Sequence, residues 1–203
     1  MAVLASGDGT NLQAILDGPH AESDSSVRVV AVATDKPGAR ALERAASLGI
    51  ETGEFARGDH ADRASRDAAL ADWLESRDVG LVVLAGYMQL LSPSFVARFR
   101  WRLINVHPAL LPSFPGLDAI GQALAEGVRV SGVTVHFVDE GVDSGPIILQ
   151  RAVPVPASRE RSELEEGIHA TEHALLPEAV RLFAAGRVQP EAGSRVVSIA
   201  PPV

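Results

Sequence analysis

In the stretch INVHPALLPSFPG, residues 104–116, Asn105 and His107 close an apolar run, and Pro108, Pro112 and Pro115 crowd the connection that follows. Imidazole titrates near neutral pH, so His107 is the best candidate for proton chemistry. Two residues apart on a strand, Asn105 and His107 point to the same face, where the amide can donate to an oxyanion beside the ring. Proline fixes φ and restricts the residue before it, so the segment after His107 reads as a stiff loop. A satisfied structural histidine is the plainer reading of a lone strand-end His; the pairing with Asn105 favours a site.

Three further stretches carry chemistry. In VDEGVDSGP, Asp139, Glu140 and Asp143 crowd a loop whose turn is set by Gly141, Gly145 and Pro146. One of these carboxylates would orient or charge a histidine, although spacing alone does not say which, and solvated turn acids are the plain alternative. In ASGDGTNLQAI, residues 5–15, Gly7 and Gly9 allow close backbone approach just before a helix start, where free N–H groups and the dipole favour an anion. The pattern is neither G-x-G-x-x-G nor a Walker A loop, so a phosphomonoester is expected rather than a dinucleotide or triphosphate. An ordinary glycine turn with Thr10 or Asn11 as helix cap is the alternative. In AGYMQLLSP, residues 85–93, Met88, Leu90 and Leu91 follow a strand end and suit either a flat heterocycle or plain core. His169 and His173 have i, i+4 spacing, but without H-E-x-x-H or a third ligand no metal site is expected; Glu172 between them is a candidate contact for a cationic substrate group.

The elements that must position these residues read as βαβ repeats. AVLAS precedes NLQAILDG, VRVVAVATD precedes ARALERAASLG with Gly49 placed to stop the helix, and IETGEF precedes HADRASRDAALADWLESRD. GLVVLAG then leads into SPSFVARFR, and RLINVH follows. Strands apolar on both faces with crossover helices imply an α/β protein: a Rossmann-like, mostly parallel sheet covered by helices on both faces, with ligands at the carboxyl ends of its strands. After residue 128 two β-rich runs joined by DEGVDSG predict an antiparallel extension. Ser158–Gly186 reads as a long helix interrupted by Pro177 and closed by Gly186, and the tail PEAGSRVVSIAPPV shows no period.

Composition narrows the partners. A chain of 203 residues, 46% hydrophobic and 22% charged, is expected to form one domain over 1–203. A net charge of −8 argues against a nucleic-acid backbone as ligand and for small molecules. The absence of cysteine rules out disulfides and thiolate metal sites, and no apolar run approaches a membrane span or a leader, so a cytoplasmic protein is expected.

Taken together, SGDGTNLQAI, VLAGYMQLLSPSFV, INVHPALLPSFPGLDAIGQAL, VSGVTVHFVDEGVDSGPIILQ and ATEHALLP resemble the folate-dependent phosphoribosylglycinamide formyltransferases of purine synthesis, in order and over nearly the whole chain. The resemblance implies a formyltransferase fold and transfer of a formyl group from the co-substrate 10-formyltetrahydrofolate to the amine of glycinamide ribonucleotide, with neither metal nor ATP. By position, Asn105, His107 and Asp143 match the catalytic triad; Gly9, Thr10 and Asn11 match the ribotide-phosphate loop; and Glu172 matches a contact to the glycinamide end. Arg63, Met88, Gln89, Leu90, Leu91, Leu103, Asn105, Val138, Asp139 and Val142 match the folate pocket. The N-terminal half would then bind the phosphate and the C-terminal half much of the catalytic and folate cleft. Asp118, Ile120 and Gly121 stand where some relatives carry HxHR, so contacts made by those side chains do not carry over. Other folate formyl enzymes, of the deformylase or methionyl-tRNA formyltransferase type, and a non-catalytic nucleotide-binding domain are the rival readings.

Overall fold

The computed structural model describes residues 1–23, 25–191 and 194–201, in two compact units, Met1–Asn105 and Val106–Val203. In the first unit β1 (Ala2–Leu4), β2 (Ala31–Thr34), β3 (Glu51–Glu54), β4 (Val82–Leu84) and the start of β5 (Leu103–His107) alternate with α1 (Thr10–Ile15), α2 (Arg40–Ala46), α3 (Arg63–Glu75) and α4 (Pro93–Arg98). The strand order is β3-β2-β1-β4-β5 and every neighbouring pair is parallel. Residues of β1, β2 and β4 are buried on both faces, as expected of strands that read as continuous apolar runs. The chain order reverses between β1 and β4, and the loops leaving the carboxyl ends of those two strands are 5–9 and 85–92. A crevice at such a switch point is where open α/β sheets bind ligands.

The second unit takes the end of β5, then α5 (Ala119–Glu126), the antiparallel pair β6 (Val130–Phe137) and β7 (Ile147–Pro154), α6 (Arg161–Ala184), and a small hairpin of β8 (Val188–Pro190) and β9 (Val197–Ile199). The acidic turn falls between β6 and β7, as the sequence pattern predicts. A register shift between Val135 and His136 marks a bulge at the end of β6 nearest that turn.

Three regions differ from expectation: α6, the tail and α5. The helix α6 runs uninterrupted through Pro177, which is buried together with Leu175, Leu176, Ala179 and Val180. An interior proline costs about 3 kcal/mol, and burial of several large side chains at about 1.5–3 kcal/mol each outweighs it. The helix also starts at Arg161 rather than Ser158 and ends at Ala184, with Gly186 at φ 66° just beyond. The tail without a period contributes β8 and β9, both short and half-exposed. The helix α5, absent from the sequence pattern above, is held by an Asp118 side chain that accepts from the Gly121 amide and by Gly127 at φ 75°.

Candidate active site

The second unit builds its site around His107. The ring is only 4% exposed. Its Nε2 lies 2.8 Å from the Phe114 carbonyl oxygen, and its Nδ1 lies 3.3 Å from Oδ2 of Asp143. Both neighbours are acceptors, so each ring nitrogen of His107 faces a group that takes a hydrogen bond. Asn105 stands two residues earlier on β5, where strand alternation gives it the same face as His107.

The proline loop is fastened beneath the ring. Buried Thr134 on β6 donates to the Ala109 carbonyl at 2.7 Å and accepts from the Leu111 amide at 3.1 Å. Gln150 on β7 donates to the Leu111 carbonyl at 2.8 Å and to Thr134 Oγ1 at 3.0 Å. At the far end of the loop the Gly116 amide donates to Asp143 Oδ2 at 2.8 Å. The segment that presents the Phe114 carbonyl to His107 is therefore tied to both strands of the hairpin and to the acid itself.

Among the three acids of the turn, Asp143 is the one that meets His107. Asp139 instead accepts from the Gly141 amide at 3.1 Å and from Ser144 Oγ at 2.6 Å, closing the turn, and Glu140 is exposed. Asp143 holds a left-handed φ of 49°, uncommon outside glycine, asparagine and aspartate. The turn can close because residue 145 is glycine: a Cβ there would stand 1.8 Å from the Phe137 carbonyl oxygen. Partial burial pushes the Asp143 carboxyl up, but hydrogen bonding from His136, the Gly116 amide and the neighbouring imidazoles outweigh it and hold the group below its ordinary value.

His136 is the residue that sequence reasoning missed. It is 1% exposed, its Nδ1 lies 2.8 Å from the Phe137 carbonyl oxygen, and its Nε2 lies 3.6 Å from Asp143 Oδ1. The available signal was Thr134 and His136, two polar side chains at i, i+2 in a strand whose only other polar residue is Ser131.

In the first unit, Gly9 at φ 70° is itself the cap of α1, with no side-chain capping bond, so neither Thr10 nor Asn11 plays that part. A Cβ at Gly9 would stand 2.8 Å from Ala41 Cβ of α2, and Arg44 of the same helix donates to the Asp8 carbonyl and to Gln13 Oε1, each at 2.7 Å. The loop after β1 is thus packed down onto α2, while Thr10 is exposed and Asn11 buried. Ser6 joins this loop to the one after β4: its amide donates to the Gly86 carbonyl at 3.0 Å, and its hydroxyl accepts from the Met88 amide at 2.8 Å.

The remaining candidates divide by burial. Met88 and Leu90 are exposed, Gln89 and Leu91 half-buried, and Leu103 lies in the core of β5. Arg63 heads α3 and is exposed; the arginine that reaches the loop after β4 is Arg66. In the second unit Val138 and Asp139 are half-buried, Val142 is 51% exposed, and Glu172 is buried on α6. The rings of His169 and His173 stack at 6.4 Å. Among the described residues no group of three or more His, Cys, Asp or Glu is placed to hold a metal.

With this geometry in place, comparison with known proteins decides the family. The formyl transferase family model matches residues 1–180. The chain belongs to the formyl transferase family. Among curated family members, phosphoribosylglycinamide formyltransferase of Bacillus subtilis is 39% identical over 181 residues, 89% of this chain and 92% of the relative. The Drosophila melanogaster trifunctional purine biosynthetic protein adenosine-3 is 44% identical over 201 residues; the chain spans only 15% of that much longer relative. Among solved formyl transferase structures, glycinamide ribonucleotide transformylase 1 of Symbiobacterium toebii superposes with a TM-score of 0.94 at 48% identity, covering 98% of this chain and 93% of that one. The fold class expected from the sequence, a mostly parallel α/β sheet with an antiparallel strand pair, is that of these formyl transferases.

Proposed function

We propose that the chain is a phosphoribosylglycinamide formyltransferase, moving the formyl group of 10-formyltetrahydrofolate to the amine of glycinamide ribonucleotide. The observation that carries the reading is the buried His107, with its Nδ1 3.3 Å from the half-buried Asp143 carboxylate and two residues from Asn105 on β5. It is supported by relatives of that name that match over about nine tenths of their own length.

In the proposed reaction the neutral amine attacks the formyl carbon and forms a tetrahedral oxyanion. The Asn105 amide donates to that oxyanion, the positive charge of the His107 imidazolium stabilises it through space, and Asp143 orients the ring and holds the water that relays a proton to the departing folate nitrogen. Gly9, Thr10 and Asn11 take the ribotide phosphate, and Glu172 takes the glycinamide end. Arg63, the loop from Met88 through Gln89 and Leu90 to Leu91, Leu103, Asn105, Val138, Asp139 and Val142 line the folate pocket. The chain acts as one formyltransferase domain on small molecules in the cytoplasm, with the folate as co-substrate.

The test is to mix purified protein with glycinamide ribonucleotide and 10-formyltetrahydrofolate and follow tetrahydrofolate and formylated ribotide by mass spectrometry. Equimolar appearance of both products is expected. Release of formate at the same rate without the ribotide would replace this reading with a deformylase.

A further inference from the structure

The first unit contains a buried guanidinium that the catalytic scheme does not use. Arg66, on α3, is 1% exposed, an arrangement rare for a charged side chain unless every donor is met. Its Nε and Nη2 donate to Asp67 Oδ1 at 2.9 and 2.6 Å, its Nη1 donates to Gln89 Oε1 at 3.1 Å, and Nη2 also reaches the Leu90 carbonyl at 3.3 Å. Asp67, equally buried, uses its other oxygen to accept from the Ser92 amide at 2.5 Å. Gln89 passes the chain of bonds on, donating to Asp35 Oδ2 at 2.8 Å, and Ser6 hydrogen-bonds the other oxygen of Asp35 while accepting from the Met88 amide.

The loop after β4 is thus fastened at Met88, Gln89, Leu90 and Ser92, always by side chains lying beneath it. What it displays is apolar: Met88 is 55% and Leu90 61% exposed. Backbone anchored by desolvated charges and large apolar side chains left uncovered is the arrangement of a wall set in place before its ligand arrives. Arginine suits this post because its planar fork reaches a carboxylate, an amide oxygen and a carbonyl at once, which a lysine ammonium at the end of a flexible stem does not.

We infer that Arg66 is a positioning residue for the folate substrate: it holds residues 88–91 in the shape that receives the pterin, without touching the reacting atoms. This rests on the reading of 88–91 as folate wall. The interaction serves ground state and transition state alike, so its loss raises KM for the folate and leaves kcat at saturation in place.

The experiment uses Arg66→Met and Arg66→Lys; the lysine keeps a cation beside Asp67 and carries the test if the methionine variant does not fold. The expected result is a rise of about tenfold or more in KM for 10-formyltetrahydrofolate, with KM for glycinamide ribonucleotide and kcat within about threefold of wild type. Amides 88–92 should exchange faster in the free variants than in the free wild type. A purely structural role would lower the melting temperature without splitting the two substrates. Exchange in the wild type with and without a folate analogue separates the two readings. Failure of the analogue to protect 88–92 overturns the folate wall and this inference with it. Protection together with an unchanged folate KM in both variants, or a loss shared equally by the two substrates, overturns the positioning role alone.

Discussion

Asp143 stands between two imidazoles, with Oδ2 3.3 Å from Nδ1 of His107 and Oδ1 3.6 Å from Nε2 of His136. Its two oxygens are thereby assigned to different rings, and only one ring lies on the strand that carries Asn105. Asp143→Asn keeps the shape and loses the charge, so turnover should fall on the order of 10²-fold to 10⁴-fold, the range for a general acid–base group. Asp139→Asn and Glu140→Gln, which change acids engaged in the turn or in solvent, should each cost less than about tenfold. Steady-state kinetics on the three variants checks the assignment; near wild-type turnover in Asp143→Asn would falsify it.

The same relationship sets a pH dependence of stability. Because the folded protein holds the Asp143 carboxyl below its ordinary value of 3.8, the unfolded chain binds the proton first as pH falls. The contribution is present in full above that ordinary value and is lost as pH drops through the lower folded one. The His136 hydrogen bond is the largest of the lowering influences, so His136→Gln should move the acid-unfolding limb towards higher pH. Urea titrations at a series of acidic pH values would show this, and coincident curves for variant and wild type would sink it.

A third expectation concerns the loop after β1. Gly9 combines a φ of 70° with a would-be Cβ only 2.8 Å from Ala41 Cβ, so Gly9→Ala must displace the backbone that the proposed phosphate approaches. Ribotide KM should rise by at least about tenfold, the equivalent of one lost charge-assisted hydrogen bond, while folate KM holds. Calorimetric titration of each substrate would decide, an equal loss of both affinities counting against a phosphate site.

Thr134 tests whether the proline loop is held from below. Thr134→Val keeps the volume but leaves the Leu111 amide and the Ala109 carbonyl without the hydroxyl that serves both. The cost should be roughly 1–3 kcal/mol of unfolding free energy, with a fall in turnover as the Phe114 carbonyl loses its fixed place under His107. Chemical denaturation and kcat measured on one preparation give both numbers; a stable variant with full turnover would show that the prolines alone suffice.

Much of this architecture was legible beforehand because it rests on local rules. Apolar runs such as VVL of β4 and the glycine-closed helices follow from side-chain period and backbone freedom. The candidate pair Asn105 and His107 followed from strand alternation alone, whereas the choice of Asp143 over Asp139 and Glu140 needed either a family resemblance or coordinates, since composition of the turn treats the three acids alike. His136 and Arg66 were missed for a different reason. His136 meets its acid across a turn, and Arg66, although paired with the adjacent Asp67, reaches Gln89 and Leu90 more than twenty residues on; no periodicity marks a partner at that separation. Pro177 shows the converse: a strong local signal for a break was overruled by burial along α6.

The left-handed backbone at Asp143 also narrows what substitution can explore there. Glutamate offers the same charge but lacks the short side chain that makes this conformation tolerable, and glycine accepts the conformation but carries no acid. Asparagine alone is matched to both the turn and the size. A carboxylate at this point of the chain is therefore available from one amino acid only, and a lineage that loses it can regain it by no route other than reversion or rebuilding the turn.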